Sequence, residues 1–73
     1  PEVAIYEIPI MANWVGKSIA SLNIRRKFNV NILAVKNSAS IKSLPGGDYV
    51  FEKNDHIIIV GKFVDVSHMT ERT

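Results

Sequence analysis

Two stretches of this chain, Val30 to Lys36 and His56 to Val60, are apolar at nearly every position instead of at alternate ones. A strand with one wet face alternates, so near-continuous apolar character predicts strands buried on both sides, central in a sheet. With 73 residues there is room for one such sheet and one core, and everything else must be arranged around these two strands. The longest unbroken apolar runs, Ile57-Ile-Ile-Val60 among them, are far short of the ~20 residues that a spanning helix needs.

The remaining elements follow from local signals. Val3 to Ile8 is rich in β-formers and is expected to stop at Pro9, which cannot donate to a ladder. Met11 to Val15 reads as a loop. Ser18 can cap a short helix over 19–22 and Asn23 a further turn through Phe28, while Asn29 tolerates the left-handed conformation that ends a helix. Asn37 to Ser40 reads as a turn, Ile41 to Leu44 as a short third strand, and Pro45-Gly-Gly-Asp48 as a breaker before a brief extended piece at Tyr49 to Phe51. Gly61 is expected to release the last strand into a terminal helix from Phe63 to Met69. The resulting α+β domain has the order β-α-β-β-β-α with a mixed or antiparallel sheet.

Charge is distributed unevenly. Between Glu7 and Asp48 there is no acidic residue, while Lys17, Arg25, Arg26, Lys27, Lys36 and Lys42 all fall inside that interval. Three of them sit together in Asn23-Ile-Arg-Arg-Lys-Phe28, directly before an apolar strand. A locally positive surface beside an apolar one suits a ligand with both a phosphate and an apolar or aromatic part. The apolar share of 47% is generous for a core that supplies only about 3–5 kcal/mol of net stability, so a homodimer is expected. No cysteine is present, which excludes disulfides, thiolate metal sites and cysteine nucleophiles and agrees with a reducing cytoplasm.

Several familiar motifs are incomplete. Gly16-Lys17-Ser18 resembles the end of a phosphate-binding loop, but Met11 stands where that loop requires glycine. Gly46-Gly47 opens no helix and has no third glycine at dinucleotide-binding spacing. His56 and His68 are the only histidines; they lack carboxylates at ligand spacing, and His56 is most simply an edge or cap residue, so no metal site is expected. No catalytic constellation is present. Trp14 is expected to staple its loop to the sheet, and Asp48 and Asp55 to serve as turn residues.

The run Arg25-Arg26-Lys27 admits two readings. Successive helical residues point about 100° apart, so the three cannot grip one ligand together, and such runs are commonly solvated faces. One or two of them could still hold a phosphate, and arginine suits that better than lysine because its planar fork donates two parallel hydrogen bonds. Asn31, if it points towards Arg25, could donate to the same phosphate.

Taken together, Gly16-Lys-Ser-Ile-Ala-Ser-Leu-Asn-Ile-Arg-Arg-Lys-Phe-Asn-Val-Asn-Ile-Leu-Ala-Val35 and Asn54-Asp-His-Ile-Ile-Ile-Val-Gly61 resemble the two signature blocks of the RCK C-terminal (TrkA-C) domain. The resemblance spans nearly the whole chain. It implies a dimerising α+β lobe, not an enzyme, within cytoplasmic gating subunits of bacterial potassium channels and transporters, peripheral to the inner face of the membrane. Residues 1–73 would form that lobe as a fragment of a longer protein, following a nucleotide-binding RCK N-terminal domain, and its start at Pro1 without a methionine fits a fragment.

In a subset of the family the lobe binds cyclic di-AMP between two copies, on the dimer axis. Carried over by motif, Arg25 would contact phosphate and Asn31 support it, Ile19, Ala20 and Ile24 would line the surface against the adenines, and Ile32 would back it. Binders often carry a bulkier aliphatic where Ala20 stands, and Asn54 replaces a common glycine. The resemblance implies cyclic di-AMP as effector with no cofactor in this fragment. The competing expectation is a purely structural dimerisation lobe whose basic stretch is a solvated face. Nucleic acid is not expected as a partner, because the net charge is only +2 and no aromatic stacking motif is evident.

Overall fold

The computed structural model describes residues 3–72. Strand β1 (Val3–Pro9) leads through a 3₁₀ turn (Ala12–Trp14) into two short helices, α1 (Ile19–Leu22) and α2 (Ile24–Phe28). Strands β2 (Asn31–Lys36), β3 (Ile41–Ser43) and β4 (His56–Lys62) come next, and α3 (Phe63–Arg72) closes the domain. The four strands form one sheet in the order β1-β4-β2-β3, and every pair is antiparallel. This is the expected α+β order, and the two apolar strands are the two inner ones.

Local chemistry explains the joints. Ser18 Oγ accepts from the Ser21 N–H at 3.1 Å and caps α1, as its position predicts. Asn23 and Asn29 hold φ of 53° and 59°, a region that asparagine tolerates better than most residues. Asn23 separates α1 from α2 by this left-handed conformation, and its side chain makes no capping hydrogen bond to α2, contrary to the expected cap. Asn29 ends α2, with its N–H donating to the Arg25 carbonyl at 2.9 Å.

Buried residues of the 3₁₀ turn, α2, α3, the sheet and the connections at Val30 and Phe51 meet in one cluster: Trp14, Ile24, Val30, Val35, Phe51, Ile57, Ile59, Val66 and Met69. Helices and sheet therefore make two layers. Along β4, Ile57 and Ile59 are fully buried, whereas Ile58 and Val60 between them are half-buried. The expectation of burial on both faces is thus met fully on one face and partly on the other. Trp14 is 1% exposed, 5.5 Å from the Phe51 ring, and staples its turn to the core as expected.

Several boundaries move, β2 beginning at Asn31 and β3 ending at Ser43. β1 includes Pro9, opposite His56, which an edge strand allows because one side of its backbone needs no ladder partner. Gly61 does not release the chain but lies inside β4, where a Cβ would come 3.3 Å from Val30 Cγ2. The terminal helix extends beyond Met69 to Arg72.

Candidate functional site

Helix α2 presents Arg25 and Arg26 to solvent, and with Asn23 and Asn29 they line an open depression of about 440 Å³. The two left-handed asparagines, Asn23 and Asn29, bracket the helix. Among the described residues neither guanidinium has a carboxylate partner. Arginine side chains without a carboxylate partner are groups that can hydrogen-bond anionic oxygen. Asp65, reached by the Asn29 amide at 3.5 Å, is the acidic group beside it. Lys27 turns away from this hollow, lying 5.7 Å from the centre of the Phe28 ring.

The six residues singled out from the sequence are not equivalent. Arg25, Ala20 and Asn31 are exposed, and Ile19 and Ile32 are half-buried against the core. Ile24 is 3% exposed and belongs to the core itself, so its side chain supports the site from beneath. Asn31 opens β2 opposite Val60 and does not line the depression that holds Arg25.

A docked segment beside Ile19 and Ala20 was missed. Residues 45–51, read as a breaker and a brief extended piece, dock on the start of α1. The Ile19 N–H donates to the Tyr49 carbonyl and the Ala20 N–H to the Gly47 carbonyl, both at 2.9 Å, which satisfies groups that a helix start otherwise leaves open. A Cβ at Gly47 would lie 3.2 Å from Ala20 Cβ, so the missing side chain permits the close approach. The only local signal for this docking was the pair Gly46-Gly47.

Asp55 also needs correction, since it is a buried hub as well as a turn residue. At 1% exposure it accepts hydrogen bonds from Tyr49 Oη at 2.8 Å, the Glu52 N–H at 2.9 Å and Asn37 Nδ2 at 3.0 Å. Burial opposes its ionisation, and these three donors outweigh burial and hold its carboxyl below the ordinary 3.8. Tyr49 is pushed up to about 12 by burial, by its bond to Asp55 and by the charges of Asp55 and Glu52. His56 starts an inner strand and faces Glu7 Oε2 at 3.6 Å, the same oxygen that Lys36 Nζ reaches at 3.3 Å. No three His, Cys, Asp or Glu side chains among the described residues gather as metal ligands.

The four-stranded order, the paired helices and the positions of both signature blocks agree with a match to the TrkA-C domain over residues 3–73. The chain belongs to the TrkA-C domain family. Within that family, Ktr system potassium uptake protein C of Bacillus subtilis (strain 168) is 28% identical over 71 residues, 97% of this chain and 32% of that protein. The chain spans about a third of the length of the curated relatives it matches. The RCK C domain of the potassium transport protein KtrA, solved in complex with cyclic di-AMP, superposes with a TM-score of 0.92 at 26% identity, covering 99% of this chain and 85% of that one. The RCK_C domain dimer of S. agalactiae BusR with cyclic di-AMP gives 0.83 at 30% identity over 97% of this TrkA-C domain and 90% of that chain. BusR bound to its busAB-promotor DNA gives 0.82 at 31% identity, with 93% of this chain covering 34% of that one. Nucleic acid was not expected as a partner of this chain, whereas the neighbour BusR is bound to DNA in that structure. No helix among the described residues is long and apolar enough to cross a membrane.

Proposed function

We propose that this TrkA-C domain is a regulatory module that binds cyclic di-AMP between two copies and thereby controls a potassium-uptake system at the cytoplasmic face of the membrane. The observation that carries this reading is that two neighbours of the same fold, at 26% and 30% identity, are complexes with that ligand. The site is consistent with it. Arg25 is exposed at an open hollow that Arg26 also lines. A twofold-symmetric dinucleotide suits two identical chains, because each presents the same groups to one half.

In this reading Arg25 holds phosphate, and Ile19, Ala20 and Ile32 offer half-buried or exposed apolar surface to the adenines. Ile24 acts from below by fixing α2. Regulation requires that the ligand bind two arrangements of the paired lobes with different affinity. The membrane transporter and an N-terminal RCK domain would be partners in the longer protein. A second reading of the output, control of a promoter, is favoured by the likeness to BusR in its DNA complex.

Isothermal titration with cyclic di-AMP, with cyclic di-GMP and linear AMP dinucleotide as controls, tests the proposal. Saturation at one ligand per two chains, lost in Arg25→Ala, is expected. Absence of binding by a folded dimer would leave a purely structural lobe.

A further inference from the structure

The segment that follows β1 and the turn that precedes β4 face each other across a second cavity of about 460 Å³, which shares no residue with the hollow beside Arg25. Its origin lies in how the chain leaves β1. Trp14 is drawn into the core, and its N–H closes the 3₁₀ turn by donating to the Met11 carbonyl at 2.9 Å. With the tryptophan buried, Ala12 and Val15 stay exposed on either side of it. Together with Pro9 and the half-buried Ile10 they make one wall of the cavity, and residues 53–56 make the other.

Both walls are fixed. The Ile10 N–H donates to the Asp55 carbonyl at 3.1 Å and the Gly16 N–H to the Phe51 carbonyl at 2.9 Å, so the first segment is tied down at both ends. The facing turn is closed by the Asp55 N–H on the Glu52 carbonyl at 3.1 Å and by the Glu52 N–H on the Asp55 carboxylate at 2.9 Å. A cavity held open by such bonds is formed before anything enters it, as small-molecule sites usually are.

The lining specifies the ligand. Its apolar residues, Pro9, Ile10, Ala12 and Val15, are all aliphatic, so no ring is present on which a base could stack. Among its ionisable groups, the Asp55 carboxylate is already engaged by three donors, and His56 faces Glu7. Lys53 is exposed and makes no ion pair among the described residues. No arginine lines the cavity to fork onto a phosphate. A single ammonium beside an aliphatic wall matches a carboxylate that carries a hydrocarbon chain. We propose that this cavity binds a small aliphatic monocarboxylate, with its chain against Ile10, Ala12 and Val15 and its carboxylate on Lys53. The site is separate from the one assigned to cyclic di-AMP and does not depend on it.

Amide chemical shifts of the isotope-labelled chain, followed through titrations with octanoate, octanol and acetate, test the proposal. Octanoate should give saturable shifts centred on Ile10, Ala12, Val15 and Lys53. Octanol, which lacks the charge, should bind at least about tenfold more weakly, and acetate, which lacks the chain, should not saturate. Lys53→Gln should weaken octanoate by roughly tenfold or more and leave octanol unchanged. Ala12→Leu, at an exposed position, should fill the cavity and weaken both ligands with the melting temperature unchanged. If that variant melts lower, Lys53→Gln decides alone. The proposal is overturned if octanoate shifts do not saturate or centre on residues outside the cavity, if octanol binds as tightly as octanoate, or if Lys53→Gln binds octanoate like the wild type.

Discussion

The Tyr49 hydroxyl donates to the buried Asp55 carboxylate at 2.8 Å, and the same tyrosine accepts the Ile19 N–H on its carbonyl at 2.9 Å. One residue thus ties the start of α1 to the turn that begins β4.

Tyr49→Phe should destabilise the domain by about 1.5–3 kcal/mol, the range for a hydrogen bond to a charged group. The pH dependence has a definite sign. The folded Tyr49 value is about 12 against an ordinary 10.0, so its contribution is complete below pH 10 and is lost as the pH rises through that window. Asp55 lies below 3.8 when folded, so its contribution is present above 3.8 and is lost as the pH falls through the folded value. Urea denaturation across pH should show both declines, and the alkaline one should flatten in Tyr49→Phe.

Adjacent residues on α2 should separate binding from stability. Arg25→Ala, exposed, should change unfolding free energy by less than about 0.5 kcal/mol yet weaken cyclic di-AMP binding by roughly 10- to 100-fold. Ile24→Ala, at 3% exposure, should cost about 2–5 kcal/mol and leave little folded protein. Circular dichroism melts beside calorimetric titration would distinguish the two.

Asn29 sits at φ 59°, so Asn29→Ala should cost about 1 kcal/mol while Asn29→Gly is close to neutral. If instead its amide contact with Asp65 at 3.5 Å mattered more than its backbone, both variants would lose the same amount in denaturant midpoint.

Trp14 is the sole tryptophan and lies in the core with its ring tilted 34° to that of Phe51. Its emission should be blue-shifted in the native protein and move to the red in a single transition on unfolding. Trp14→Ala should cost about 3–5 kcal/mol, as much as a core of this size provides, and circular dichroism should show loss of ordered structure.

Much of the fold was legible because its signals are local. Ser18 caps the helix that begins at Ile19, Asn29 ends α2 by its own backbone preference, and the apolar density of β2 and β4 identified them as inner strands. The site was less legible. Arg25 and Ala20 lie where a ligand could reach them, but Ile24 is consumed by the core and Asn31 stands apart from the hollow around Arg25. Family motifs preserve sequence positions, whereas side-chain exposure depends on what packs over each position. Asp55 read as a turn residue because its partners, Asn37 and Tyr49, lie 18 and six positions away.

By itself the sequence determined the element order, the identity of the central strands, the basic character of the middle of the chain and its family, since each depends on residue types along short stretches. Only the tertiary structure decided the strand order β1-β4-β2-β3, the docking of residues 45–51 on α1, the burial of Asp55, and the pairing of Arg25 with Arg26 around one hollow. Those features arise from contacts between residues far apart in sequence, whose energies are settled only when packing brings them together.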